Sequence, residues 1–210
     1  MDRTVVRVVP SAKIKDRFYM ELDSGENLTV TVAQVADFGL RPGRVFDEAE
    51  FGLLTDSVSL TAAKGKALEA LARRPLSRRE VTERLDRRGV REDIAEETAD
   101  WLERMGYVDD GEYAGQIARY YATKGYGAGR VREELAKRGV PREYWDTALE
   151  QMPDTGDAVD RFLRAKLRGE PDRKEKKRVA DALLRRGFSW EEIRSGMDRW
   201  EMERWEDESE

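Results

Sequence analysis

Hydrophobic positions follow a period of two along the first part of the chain and a period near 3.6 along the rest. Phe18–Leu22 (FYMEL) and Leu28–Val32 (LTVTV) alternate, and DSGEN between them contains Gly25, so the pair predicts a β-hairpin. Thr4–Val9 (TVVRVV) predicts the third strand that a marginal hairpin needs. FGLRPG then reads as a turn, and Asp47–Leu54 as a short helix. From Thr61 the helical period takes over.

Within that helical part the chain repeats itself. Val81–Val90 (VTERLDRRGV), Val131–Val140 (VREELAKRGV) and Val179–Phe188 (VADALLRRGF) share Val, Leu four residues on, then Arg-Gly and an apolar residue. Val and Leu at i and i+4 share one helix face and pack inward. The arginine sits in the last turn, where the helix dipole favours a cation by about 0.3–1 kcal/mol. Gly89, Gly139 and Gly187 stand where a left-handed residue closes a helix. A helix follows each unit, with apolar positions Ile94/Thr98/Trp101, Trp145/Leu149/Met152 and Ile193/Met197/Trp200. A helix precedes each as well: Thr61–Arg73, Asp110–Lys124 and Ala158–Arg168. The expected architecture is mostly α: a tandem array of three three-helix repeats (61–109, 110–153, 154–210) behind a small β-rich N-terminal domain (1–60).

Helix-start signals agree with this frame. Ser77–Glu80 and Ser189–Glu192 have capping-box spacing, and Pro141 suits a first helical position. The adjacent acids Asp109 and Asp110 raise the question of a catalytic or metal pair. Asp109 stands three residues before Glu112, again at capping-box spacing, and Asp110 falls at the positive end of the next helix. Capping accounts for both. KGYGAGR (Lys124–Arg130) is no P-loop, and it follows no strand; it reads as a flexible joint between helices. Of the tyrosines around it, Tyr113 and Tyr121 fall at core spacing, whereas Tyr120 and Tyr126 are expected to face outward.

Composition narrows the chemistry. The 210 residues contain no cysteine and no histidine, which removes disulfides, Cys-ligated zinc and the commonest general base. No catalytic residue, metal or cofactor is expected. Charged residues make up 40% of the chain, against about 25% in an ordinary domain, so thin cores under highly charged helix faces are expected. The net charge of −5 argues against indiscriminate nucleic-acid binding. The basic residues nevertheless come in knots, and screening confines each charge to about 8–10 Å, so a knot matters more than the sum. No signal-peptide pattern or long apolar run is present, which makes a cytoplasmic protein the expectation. Glu201–Glu210 is an acidic tail expected to fray.

From about Lys64 to Trp200 the chain resembles the RecX regulatory proteins, which bind the bacterial recombinase RecA. ALARRPLSRREVTERLDRRGV, MGYVDDGEYA and GYGAGRVREELAKRGV carry the likeness, in that order and spacing. Val81 replaces a usual leucine, and Leu76 stands where many members have a basic residue. The first 60 residues resemble the strand-rich extension of longer members. The resemblance implies a monomeric, non-enzymatic inhibitor that lodges in the groove of the RecA–DNA filament and blocks ATP hydrolysis, strand exchange and filament growth. The residues expected to meet RecA or DNA, single- or double-stranded, are Arg73, Arg74, Arg78, Arg79, Arg87, Arg88, Arg119, Tyr120, Tyr126, Arg130, Arg132, Lys137, Arg138, Lys174, Lys176, Lys177, Arg178, Arg185 and Arg186. Two other readings stay open: a stand-alone DNA-binding protein with helix-turn-helix-like repeats, and a carboxylate-dependent nuclease working through Asp109 and Asp110.

Overall fold

The computed structural model describes residues 2–207 and divides into two compact units. One takes the chain through Arg74 together with Val81–Tyr107; the other takes Pro75–Glu80 and the chain from Val108 on.

The first unit opens with an antiparallel sheet in the order β3-β2-β1-β4, built from β1 (Arg3–Pro10), β2 (Arg17–Leu22), β3 (Asn27–Thr31) and the short β4 (Val45–Phe46). Phe18–Leu22 pairs with both neighbours, as the alternation predicts, and the β1–β2 register shifts between Val5 and Arg7. The inward residues Val5, Met20, Leu22, Val30 and Phe46 form one core with Leu40, Phe51 and Leu54. A short helix, α1 (Val32–Asp37), leaves β3 through a capping box between Thr31 and Gln34.

The next helix departs from expectation. Instead of a short helix ending at Leu54 and a new one from Thr61, α2 runs unbroken over Glu48–Leu71 from an Asp47–Glu50 capping box. No Gly or Pro interrupts Thr55–Leu60. The hydroxyls that could have broken the helix bond back into it, Thr55 Oγ1 to Gly52 O at 2.9 Å and Thr61 Oγ1 to Ser57 O at 3.0 Å. Gln34 Nε2 donates to both Ser57 Oγ and Thr61 Oγ1. Residue 60 therefore lies inside a helix whose first half packs on the sheet and whose second half buries Ala63, Ala67 and Ala70. α3 (Arg78–Asp86) and α4 (Glu92–Arg104) follow, burying Val81, Leu85, Ile94, Ala95, Ala99 and Leu102.

The second unit holds two more three-helix sets. α5 (Asp110–Thr123), α6 (Ala128–Lys137) and α7 (Trp145–Glu150, preceded by a 3₁₀ turn at Arg142–Tyr144) close over Tyr113, Ala114, Ile117, Val131, Leu135 and Val140. α8 (Gly156–Lys166), α9 (Arg173–Arg185) and α10 (Trp190–Asp207) close over Val159, Leu163, Val179, Leu183, Phe188, Ile193 and Trp200. The repeated leucines Leu85, Leu135 and Leu183 are each at most 1% exposed. The mostly α class with a small β-rich start, read from the two periods, holds. Glu201–Asp207 is the end of α10, tied by Lys176–Glu201 and Arg164–Glu203 ion pairs at 2.6 Å; residues 208–210 of the acidic run lie outside the described residues.

Candidate interaction surface

The three Arg-Gly turns have one backbone design. Gly89, Gly139 and Gly187 have φ of 73°, 68° and 88°, and the following residue donates to the carbonyl of the repeated leucine. Their surroundings differ.

In the second repeat, the turn at Arg138–Gly139 receives the start of α3. The Ser77 hydroxyl donates to Arg138 O, and Ser77 with Glu80 completes its capping box, both bonds at 3.1 Å. A Cβ on Gly139 would stand 2.1 Å from Arg79 Cδ, so the approach requires glycine. Asp109 and Asp110 part company here. Asp109 Oδ1 accepts from Glu112 N–H at 2.9 Å and caps its own helix, whereas buried Asp110 accepts from Arg78 N–H at 2.9 Å and caps α3. Among the described residues no group of three or more acidic side chains is placed to hold a metal ion.

Around this joint lies a polar network. Arg138 Nη1 donates to Tyr113 Oη at 2.6 Å, Tyr113 Oη donates to Glu80 Oε2 at 3.2 Å, and Arg138 approaches Glu80 and Glu134 at 3.9 and 3.7 Å. Glu134, 5% exposed, also accepts from Arg130 at 2.9 Å. Burial, reinforced by Glu134, pushes the Tyr121 phenol above its ordinary pKa. Arg130 and Glu134 on α6 and its C-cap Arg138 are spaced four residues apart, which is visible in the sequence; the links of Glu80 and Tyr113 to Arg138 were not read from it.

In the third repeat, the turn at Arg186–Gly187 receives the start of α6. Gly127 N–H donates to Arg186 O at 3.0 Å and Gly129 N–H to Gly187 O at 2.8 Å. A Cβ on Gly127 would lie 2.4 Å from Gly187 O, and one on Gly187 2.1 Å from Arg130 N. The glycine run expected to be a flexible joint is thus a close-packed one: backbone meets backbone, which side chains would prevent. Arg186 stacks on Phe162 at 4.7 Å and Tyr126 at 5.5 Å, and Tyr126 is half-buried rather than outward-facing because its ring also meets Tyr121. Tyr120 is 57% exposed, with Lys124 over its ring at 5.8 Å.

The remaining basic residues sort by partner. Arg119 reaches Gln151 and Glu112, Arg130 reaches Glu133 and Glu134, and Lys176 reaches Glu201. Arg74, Arg78 and Arg79 take part in further interactions. Arg73, Arg87, Arg88, Arg132, Lys137, Lys174, Lys177, Arg178 and Arg185 are exposed, with no side-chain partner among the described residues. Thus the first member of every repeated knot (Arg87, Lys137, Arg185) points to solvent, while the second members Arg138 and Arg186 belong to joints. No described helix is long and apolar enough to cross a membrane.

Three RecX family models match this chain: the first three-helix domain over residues 63–102, the second over 109–149 and the third over 159–197. Proteins named regulatory protein RecX are similar in sequence. The one from Pseudomonas fluorescens strain SBW25 is 34% identical over 138 residues, 64% of this chain and 89% of its own. That of Stenotrophomonas maltophilia strain R551-3 is 33% identical over 132 residues, 61% of this chain and 81% of its own. A crystal structure described as regulatory protein RecX superposes with TM-score 0.74 at 21% identity, over 93% of this chain and 99% of that one. RecX from Lactobacillus salivarius superposes with TM-score 0.65 at 19% identity, over 70% and 99%.

Proposed function

Because the chain belongs to the RecX family of regulatory proteins, we propose that it restrains RecA by binding the RecA–DNA filament, slowing its ATP hydrolysis, strand exchange and growth. The observation that carries this reading is the recurrence of one solvent-facing cation at the equivalent turn of each repeat: Arg87, Lys137 and Arg185. A helical polymer offers the same surface at every subunit, and repeats with like contacts can engage several subunits at once. Contacts that are weak singly then gain about 10²–10⁴ in avidity. The protein acts as a monomer in the cytoplasm, contributes no catalytic step and requires no cofactor. Arg73, Arg132, Lys174, Lys177 and Arg178 are the other exposed cations available to RecA or DNA, and Tyr120 supplies an exposed ring beside Lys124.

The test is RecA's DNA-dependent ATPase. Substoichiometric protein slows it, and the triple charge reversal R87E/K137E/R185E, which alters only exposed side chains, weakens the effect at least tenfold. No inhibition by the unaltered chain at any ratio rejects the proposal. Stand-alone DNA binding is separated from it by salt: phosphate-driven affinity falls steeply, by about 10³–10⁵ between 50 and 200 mM for 6–10 phosphate contacts.

A further inference from the structure

Two of the three Arg-Gly turns are occupied, and the occupant is the same kind of object each time. Arg138 O accepts the Ser77 hydroxyl at the start of α3, and Arg186 O accepts Gly127 N–H at the start of α6. The first repeat has the same turn. Gly89 N–H donates to Asp86 O and Val90 N–H to Leu85 O, matching the bonds at Gly139–Val140 and Gly187–Phe188. Yet a Cβ on Gly89 would meet nothing within 4 Å, against 2.1 Å at Gly139 and Gly187. Val90 is only half-buried where Val140 and Phe188 are 4% and 3% exposed. Arg87 and Arg88 are exposed, and among the described residues neither Arg88 O nor its guanidinium has a partner. We propose that the Arg88–Gly89 turn is a socket for the start of a helix on a protein partner, one with serine or glycine at its N-cap and a carboxylate three residues later.

The chemistry of the occupant follows from the filled joints. A helix start entering a helix end brings the positive end of one dipole to the negative end of the other. Serine or glycine at the entering N-cap lets the backbones approach and supplies the donor for the arginine carbonyl, as Ser77 and Gly127 do. The carboxylate is read from the α3 joint, where Glu80 Oε1 lies 3.9 Å from Arg138 Nη1; the α6 joint has Arg130 at that position, but its Arg186 lies on Phe162 and Tyr126, a partner that the exposed Arg88 lacks. A second copy of this chain is a poor occupant. The start of α9 has the carboxylate of Asp172 at its N-cap in place of a hydroxyl donor, and it carries Arg173, Lys174, Lys176 and Lys177 where α3 brings only Arg78 and Arg79 to its joint. The start of α10 has Ser189 and Glu192, but both oxygens of Glu192 are taken, Oε2 by Ser189 N–H and Oε1 by the Thr155 hydroxyl. The occupant is therefore a different protein, and the socket does not depend on that protein being RecA.

The experiment uses the intact ¹⁵N-labelled chain and, as probe, a lactam-bridged helical peptide with the sequence PLSRREVTERLD, the chain's own Pro75–Asp86. The expected result is saturable shifts of the Arg88, Gly89 and Val90 amides, with a Kd on the order of 1 mM, about −4 kcal/mol. Affinity falls at least tenfold when the peptide's serine and first glutamate are alanine, and equally in the Arg88→Glu chain. No saturable shift at these three amides overturns the proposal. So do shifts that survive Arg88→Glu, shifts confined to Arg138–Val140, and concentration-dependent self-association of the chain that Arg88→Glu abolishes. Loss of RecA inhibition leaves this result untouched, because RecA is absent from the measurement.

Discussion

Replacing Gly127 with alanine tests the close-packed joint between the second and third repeats directly. Gly127 has φ of −84°, a conformation that alanine adopts freely, so the substitution stores no backbone strain. The added Cβ would lie 2.4 Å from Gly187 O and 2.6 Å from Gly187 C and Phe188 N, all backbone atoms that cannot rotate away. The two chain segments must separate by about 1 Å to restore ordinary contact near 3.5 Å. That breaks the Gly127–Arg186 and Gly129–Gly187 hydrogen bonds, each contributing about 1 kcal/mol, and loosens Arg186 on Tyr126 and Phe162, about 0.5–1 kcal/mol more. The coupling between repeats falls by about 2–4 kcal/mol, while each repeat keeps its own core. Stability in a repeat array is a sum of repeat and interface contributions, so the loss appears in the terminal repeat. Hydrogen exchange reads it: amides of α9 and α10 exchange about 30- to 1,000-fold faster, at about 1.4 kcal/mol per tenfold, and the sheet is unaffected. Unchanged protection in α9 and α10, or equal loss throughout the chain, would refute the reasoning.

Other consequences are simpler to read. Gly65→Ala, at a helical site in α2 where a Cβ meets nothing within 4 Å, stabilises the chain by up to about 1 kcal/mol, seen as a higher denaturation midpoint. Ser77→Ala removes a helix cap and leaves Arg138 O without its donor at a fully buried site, costing about 1–3 kcal/mol by urea denaturation, whereas Ser189→Ala at the exposed α10 cap costs less. The Arg164 guanidinium holds Glu203 below its ordinary pKa; that contribution is present above the normal glutamate range and is lost as pH falls through the depressed value, so acid releases the end of α10, visible as faster amide exchange there. In Glu203→Gln the acid-induced rise in exchange at that end is smaller, because only the Lys176–Glu201 tie remains to be lost.

The Arg-Gly turns were legible in the sequence because a helix end has a local code: an apolar i/i+4 pair, a cation in the last turn and a glycine. The capping roles of Ser77, Asp109 and Ser189 were legible for the same reason, each cap bond closing within four residues. The joints were not. Ser77 meets Arg138 across 61 positions, and Gly127 meets Arg186 through backbone atoms that carry no residue identity. A glycine run that accommodates another backbone looks, residue by residue, like one that merely bends. α2 misled in the opposite sense. The change of hydrophobic period near Thr61 marks a change of packing partner, from sheet to helices, within one helix, and only the missing Gly or Pro signals that the backbone continues.

The same distinction decides how the basic knots should be read. Arg88, Arg138 and Arg186 are identical by sequence position, yet Arg138 reaches Tyr113 and Glu80, and Arg186 lies on Phe162 and Tyr126. Changing either alters the array before it alters any external contact. A charge-removal scan that scored all the basic residues alike would therefore mix two effects: lost contacts at Arg87, Lys137 and Arg185, and lost repeat geometry at Arg138 and Arg186. Arg186→Lys separates them. It keeps the charge but loses the planar stack, so an electrostatic contact to a partner survives it, whereas a joint does not. Partner binding that falls in Arg186→Lys together with α9 protection identifies Arg186 as a joint residue; binding and protection that both survive Arg186→Lys, with binding lost in Arg186→Gln, assign it to the partner surface.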